Sequence, residues 1–404
     1  MSNNRPKIAI VNVFFPPQAI GGATRVVADQ VQLLTEKYSE NFDLVVFTSD
    51  AYKQEPYTLR PYIHNGVRVY STSILWRVNM DWHETDPEIG KIFTQFLEFE
   101  KPDLIHFHCI QRLGGGIVEA ARSQGIPYYV TAHDAWWISD YQFLTDAKGN
   151  VYSDGHPDPF SKYQLPEGIT WEKSLQRRNY LKALLTDAED VLCVSETYTK
   201  LYQSNGISNC LTNRNGISDF VNWKAKDTSH SKRVVCGHIG GMATHKGFFL
   251  FRDAIMRSTL NNIEALVVDH SQPENFSEKT LWGNVPVTII GRVAQERIVD
   301  VYGRIDVLFA PSLWPESFGL VTREAVACGC WVVASNVGAI GEEITDENGF
   351  VVDPTADAIS STLETIDQNP GKFKQRSVSG NIRYSSQQIS QLAGLFNHKL
   401  AQQK

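Results

Sequence analysis

The sequence has no apolar stretch near the roughly 20 residues that a membrane-crossing helix requires. Its 404 residues carry 42% hydrophobic side chains, all in short runs, so a membrane would be met only at its surface. The N-terminus, Met1-Ser-Asn-Asn-Arg-Pro-Lys7, also lacks the apolar segment of a secretory signal ahead of the first strand-like run, which argues for a cytoplasmic protein. Positive charge is in deficit. With 38 Lys and Arg against 45 Asp and Glu, the net charge is -7, which opposes broad electrostatic capture of nucleic acid. Cysteine is scarce too, and none of the six (Cys109, Cys193, Cys210, Cys236, Cys328 and Cys330) has the spacing of a zinc knuckle or redox pair. They sit mostly in apolar runs, where a thiol acts as a small hydrophobe, and Cys328-Gly-Cys330 alone is too weak a signal for a metal. Neither internal repeats nor low-complexity tracts are present.

What is there is an alternation of strand-like and helix-like segments. Residues 8–15 are β-branched and aromatic, Pro16-Pro17 and Gly21-Gly22 break the run, and Val27, Val31, Leu34 and Tyr38 follow at helical spacing. The strand signal returns at 43–47, 103–108, 127–131 and 191–195. After a polar stretch at 222–233 it starts again at 234–239, then 265–268, 287–290, 306–310 and 331–335. Nearly continuous apolar strands between helices predict parallel sheets covered on both faces. The expectation is an α/β chain of two doubly wound, Rossmann-like domains, 1–218 and 219–380, facing a cleft, with 381–404 as a final helix. Open parallel sheets take ligands beyond the carboxyl ends of their strands, which makes that cleft the expected active site. Residues 139–178, rich in Tyr, Asp, Gly, Pro and Trp, interrupt the rhythm and read as an insertion or acceptor lid.

The most informative stretch runs Pro311-Ser-Leu-Trp-Pro-Glu-Ser-Phe-Gly-Leu-Val-Thr-Arg-Glu-Ala-Val-Ala-Cys-Gly329. A strand end, a loop and a helix starting near Leu320 bring free main-chain N–H groups and a positive dipole end together, the makings of a diphosphate cradle. Glu316 lies in the loop and Glu324 about one turn inside the helix. As isolated residues, two glutamates at that interval are ordinary surface charges. In the setting Pro-Glu-x-Phe-Gly-x-x-x-x-Glu-Ala, however, the stretch resembles the nucleotide-binding signature of glycosyltransferase family 4, a retaining family with the two-domain GT-B fold. The resemblance implies that Glu324 holds the ribose hydroxyls, that Ser317, Phe318, Gly319 and Leu320 line the donor with their amides, and that Glu316 contacts the transferred sugar.

Further matches follow in order along the chain. The loop with Gly21 and Gly22 stands where the family approaches donor phosphates or acceptor, and glycine suits close approach of the backbone. In Thr131-Ala-His133-Asp134, His133 matches the histidine that faces the sugar, with Asp134 available to orient it. His106 and His108 are expected on opposite faces of their strand, as structural residues. Asn213-Arg-Asn-Gly-Ile217 resembles the family's interdomain turn. In the segment 236–248, Lys246 matches the cation that neutralises the departing diphosphate. The arginine usual five residues earlier is replaced by Gly241, so amides of Gly240 and Gly241, or Arg292 or His245, are expected to compensate. The Gly291-Arg292-Val293 turn matches the place where the base is met.

These matches imply an enzyme that transfers a sugar from a UDP- or GDP-linked donor to a glycan or polyprenyl-linked glycan acceptor, in the cytoplasm or at the inner face of the membrane. No metal or other cofactor is implied, in keeping with the lack of an Asp-x-Asp at a predicted strand end. Two other readings stay open at this stage. One is a non-catalytic nucleotide-sugar-binding partner, suggested by Gly241, and the other a nucleotide-sugar epimerase of similar fold.

Overall fold

The computed structural model describes residues 5–18, 21–50, 55–155, 165–224, 227, 231–378 and 382–403. Two compact units divide the chain, one formed by residues 1–218 with 383–404 and the other by residues 219–382.

The first unit holds an eight-stranded sheet of β1 (Lys7–Asn12), β2 (Asp43–Asp50), β3 (Leu59–His64), β4 (Val67–Ser73), β5 (Leu104–Phe107), β6 (Tyr128–Ala132), β7 (Val191–Cys193) and β8 (Cys210–Thr212). Their order is β3-β4-β2-β1-β5-β6-β7-β8, parallel throughout except for the hairpin β3–β4. Because side chains alternate across a strand, Ala9 and Val11 of β1 join a core with Phe93, Phe96 and Leu97, while Ile8 and Ile10 face the opposite core with Val27, Val31 and Leu34. Both faces are thus dry, as the continuous apolar runs require. The helix Ser385–Gln402 seals the second of these cores with Ile389, Leu392, Ala393, Phe396 and Leu400. Its start presses on Gly216, where an added Cβ would lie 2.1 Å from the Tyr384 carbonyl carbon, so glycine alone fits that approach.

The second unit repeats the plan with β9 (Val234–His238), β10 (Ile263–Asp269), β11 (Ser277–Trp282), β12 (Val285–Gly291), β13 (Val307–Ala310), β14 (Trp331–Ser335) and β15 (Gly349–Val352). The order is β11-β12-β10-β9-β13-β14-β15, with only β11–β12 antiparallel. Val234 and Cys236 pack with Phe251 and Ile255 on one face, and Val235 with Tyr302 and Ile305 on the other. In both sheets the strand order changes direction beside the first strand of the unit, between β1 and β5 and between β9 and β13, the place beyond the strands' carboxyl ends where open parallel sheets take ligands.

Three sequence expectations change here. The edge hairpins escaped a search for continuous apolar runs, because the outer strands are largely exposed, at Arg60, Pro61 and Ile63 in β3 and at Ser277, Glu278, Lys279 and Leu281 in β11. Of the 139–178 segment, residues 156–164 lie outside the described residues, and the rest is more anchored than an irregular excursion. Helix Trp171–Thr186 begins inside it. Arg177, 1% exposed, donates to the carbonyls of Trp82, Ser139 and Trp136 at 2.7, 3.0 and 2.8 Å, and buried Arg178 pairs with Asp140 at 2.8 Å. The part of the helix inside this segment buries Ser174, Arg177 and Arg178, with its buried leucines only further on at Leu181, Leu184 and Leu185, so it gives little apolar periodicity to read there. Finally, His106 and His108 do not take opposite faces. Two residues apart on a strand, they share one face, and their rings sit 4.0 Å apart between centroids.

Candidate active site

In the second unit, the two loops that leave β9 and β13 meet. Gly247 adopts a left-handed φ of +76°, and a Cβ there would lie 2.0 Å from the Pro311 carbonyl oxygen. The main-chain N–H of Leu313 donates to the His245 carbonyl at 2.9 Å. That contact carries Lys246 to Glu316 across 70 positions of sequence, Nζ to Oε1 at 2.9 Å, and the Ser312 hydroxyl donates to the same oxygen. The Lys246 ammonium also stands over the Trp314 ring, 4.6 Å from its centroid, and the His245 ring lies 4.1 Å from it. Burial raises the Glu316 pKa, but Lys246 and the Ser312 and Trp314 donors outweigh it and leave the net value below the usual carboxylate range. Lys246 is therefore no free surface cation. It is a half-exposed charge held by a carboxylate and an aromatic face, a pairing that an incoming anion can exchange.

Around this pair the glycine loop and the helix start are shaped by the main chain. Gly319, with φ +84°, precedes helix Leu320–Ala327, and a Cβ there would meet Ile340 at 2.7 Å. The buried Phe318 ring packs under the Arg323 guanidinium at 4.3 Å. Arg323 reaches the Ala339 carbonyl at 3.0 Å and the Glu343 carboxylate at 3.0 Å, which ties the loop after β14 to the helix. Gly338 of that loop lies so close to Glu316 that a Cβ would sit 2.5 Å from its amide nitrogen, and Ala339 N–H donates to the Glu316 carbonyl at 2.7 Å. Ser317 and Leu320 are half-buried beside it. Glu324 is 3% exposed, and the Tyr302 hydroxyl donates to its Oε2 at 2.8 Å.

Gly240 and Gly241 lie in the turn after β9, and Gly241 has φ +73°. Arg292 is exposed beyond β12, two strands away from β9, and Val293 is half-buried next to it. Gly291 is pressed on Pro273, where a Cβ would approach the carbonyl oxygen to 1.8 Å, so this turn also depends on glycine. Trp314, Arg323 and Gly338 were not anticipated. Only Gly338, in the run Val337-Gly-Ala-Ile-Gly341, carried a sequence signal.

The first unit gathers a different set. His133 follows β6 and is 8% exposed; its Nε2 lies 3.0 Å from Nδ1 of His108. His106, also buried, shares a hydrogen bond with the Thr131 hydroxyl at 2.7 Å. Burial holds all three rings neutral, with His133 pushed down to about 4, His106 to about 3, and His108 well below its ordinary value. Asp134 does not orient His133. Its carboxylate accepts from Gln142 Nε2 at 2.7 Å and Trp136 N–H at 2.9 Å, because consecutive residues at a strand end diverge, and burial raises its pKa to about 6. His108 takes the orienting place instead. Gly21 and Gly22 open helix Gly21–Lys37, both exposed, and a Cβ on Gly21 would meet open space, so only its φ of +78° restricts it. All six cysteines are free and buried, and among the described residues no three His, Cys, Asp or Glu side chains cluster in a way that could hold a metal ion. No helix among them is long and apolar enough to cross a membrane.

Comparison with known proteins finds the family "Glycosyl transferase 4-like domain" over residues 21–212 and "Glycosyl transferases group 1" over residues 219–381. An uncharacterised glycosyltransferase of Methanocaldococcus jannaschii is 23% identical over 86% of this chain and 84% of its own length. A protein from the cps region of Klebsiella pneumoniae is 25% identical over 83% and 86%. A D-inositol 3-phosphate glycosyltransferase of Rhodococcus jostii is 40% identical, over 22% of this chain and 20% of its own. Among solved structures, sucrose-phosphate synthase from Thermosynechococcus elongatus matches with a TM-score of 0.70 at 20% identity, covering 98% of this chain and all of that one. Anabaena HepE, solved with UDP and glucose, matches at 0.66 and 16% identity, covering 97% of this chain and all of that one.

Proposed function

Because the chain belongs to the GT-B glycosyltransferases that join a 4-like domain to a group 1 domain, we propose that its donor is a UDP- or GDP-linked sugar and that it transfers the sugar with retention of configuration, without a metal. The observation that carries this reading is the Lys246–Glu316 pair at the carboxyl ends of β9 and β13. In a transfer from a sugar diphosphate the largest electrostatic demand is the charge left on the departing phosphate. Lys246 meets it once the diphosphate has replaced Glu316 as its partner, with main-chain amides at Gly319 and Leu320 sharing the load. The released Glu316 carboxylate is then available to the sugar hydroxyls. Glu324 serves the ribose, after exchange of its Tyr302 contact, and neutral His133 offers one ring nitrogen to the sugar.

The acceptor in this reading is a glycan or a polyprenyl-linked glycan, used in surface polysaccharide assembly at the inner face of the membrane. Support comes from the relative encoded in a cps region. The replacement of the usual arginine by Gly241 favours one alternative, a partner that binds a nucleotide sugar without turning it over. Incubation of the protein with a panel of UDP- and GDP-sugars and extracted lipid-linked acceptors separates the possibilities. Release of nucleoside diphosphate together with an extended acceptor is expected. An isomerised sugar nucleotide would point to an epimerase, and tight binding without release to the non-catalytic partner.

A further inference from the structure

The position that lacks its arginine is not empty space. A Cβ on Gly241 would lie 3.0 Å from Cδ2 of His270, so the imidazole of the residue after β10 occupies the room that a side chain at 241 would use. His270 Nε2 faces the Ile239 carbonyl oxygen at 2.9 Å. A second imidazole, on buried His238 at the end of β9, places its Nε2 3.1 Å from the Gly241 carbonyl and its Nδ1 3.0 Å from that of Phe309. Two histidines from different segments therefore hold two carbonyls of one four-residue loop.

Peptide geometry turns this into a statement about the opposite side of the loop. In a planar trans peptide the C=O of one residue and the N–H of the next point in opposite directions. With the Ile239 carbonyl held at His270, the Gly240 N–H faces away from His270. With the Gly241 carbonyl held at His238, which stacks on Phe251 in the core, the Met242 N–H faces away from that core. No hydrogen bond among the described residues engages the N–H of Gly240, Gly241 or Met242. Gly240 itself admits no side chain easily, since a Cβ would lie 3.0 Å from Cβ of Lys246. The loop thus carries main-chain donors with no partner among the described residues, next to Lys246.

Resting on the donor reading above, we propose that His238 and His270 are positioning residues that fix the 239–242 loop so that the N–H groups of Gly240 and Met242 bind the donor's diphosphate in place of the missing arginine. A carbonyl only accepts, so both contacts need the proton on Nε2. The neutral ring of His238 has one N–H for two carbonyls, and the tautomer with that proton on Nε2 is the one the loop requires. This assigns amides at 240 and 242, rather than 240 and 241, and it removes Arg292 and His245 from the compensating role.

Titration calorimetry of the full chain with UDP, GDP, uridine and guanosine tests the proposal through paired variants. Gln places its amide where Nε2 stood and Asn where Nδ1 stood, so His238→Gln and His270→Gln are expected to keep the nucleoside diphosphate affinity within about threefold. His238→Asn and His270→Ala are expected to weaken it about tenfold or more, near the net value of one or two hydrogen bonds to a charged group. Nucleoside binding, which lacks the phosphates, is expected to be equal in all variants. If His270→Ala, an exposed site whose loss leaves the core intact, binds the diphosphate like the wild type, the proposal fails. It fails as well if Gln and Asn at 238 behave alike. Should wild-type protein bind neither diphosphate, the donor reading falls and this inference with it; failure confined to the variants overturns the inference alone.

Discussion

The two units share a plan but differ in the chemistry at the ends of their strands. In the second, opposite charges meet: Lys246 and Glu316, with Trp314 and Ser312 close around them. In the first, the ends of β5 and β6, one strand further along than the counterparts of β9 and β13, hold neutral rings, His106, His108 and His133, packed against each other. A charge pair that is partly exposed can trade its internal partner for a ligand's charge. A cluster of buried neutral imidazoles cannot take a full charge cheaply, and its value lies in oriented single hydrogen bonds. Similar sheets thus carry a partly exposed charge pair in one unit and a buried neutral polar cluster in the other.

The sharpest way to break this contrast is to remove the cation. Lys246→Ala is expected to lower kcat/KM by about a thousandfold, or roughly 4 kcal/mol, in line with loss of a main charge-stabilising group. It is also expected to destabilise the fold by roughly 1–2 kcal/mol, because the Glu316 carboxylate, 13% exposed, keeps its burial and loses its partner. Steady-state kinetics and thermal melts read both. A variant that turns over normally would show that the pair is structural only.

Acid distinguishes the units next. The folded pKa values of His106, His108 and His133 lie below the unfolded 6.5, so the unfolded chain binds more protons and stability is lost as pH falls from about 6.5 towards 4. Each such group contributes a slope of about 1.4 kcal/mol per pH unit. Asp134, raised to about 6, acts oppositely, as its folded form takes up a proton first. Replacing His108 by Gln is expected to flatten the pH dependence of the urea midpoint between pH 6.5 and 5 by about one proton. An unchanged slope would mean that His108 is charged in the fold.

Smaller effects sharpen the assignment of single residues. His133→Ala is expected to reduce kcat about tenfold to a hundredfold with little change in donor KM, the pattern of a bond stronger in the transition state than in the ground state. Arg292→Ala should leave donor KM within about threefold, because its guanidinium is exposed beyond β12 and removed from the pair. A tenfold rise in donor KM would return Arg292 to the phosphate site.

Much of this architecture could be read before any coordinates. The continuous apolar runs identified ten of the fifteen strands, since burial on both faces leaves a plain mark on sequence. β3 and β11 left a weaker mark because most of their residues are not buried, and the short β8 and β15 because only Cys210 and Gly349 in them are buried, whereas the equally short β5, β7 and β13 are buried throughout. The motif around Glu316 was legible as a local pattern of glycine, loop and helix start. Its pairing with Lys246 was not, because a contact across 70 positions depends on how two loops pack at Gly247 and Pro311. The mate of His133 was likewise sought in its neighbour Asp134, whereas adjacent strands supplied His108. Side chains that touch across strands leave no spacing rule in one sequence.

The claim that everything else leans on is the exchange of Glu316 for a diphosphate at Lys246. A crystal structure of the full chain with a bound nucleoside diphosphate tests it directly. The expected result is a phosphate oxygen within hydrogen-bond distance of Lys246 Nζ, with the Glu316 carboxylate turned away from it. A nucleotide bound elsewhere, or one bound while the Lys246–Glu316 contact stays closed, would contradict it.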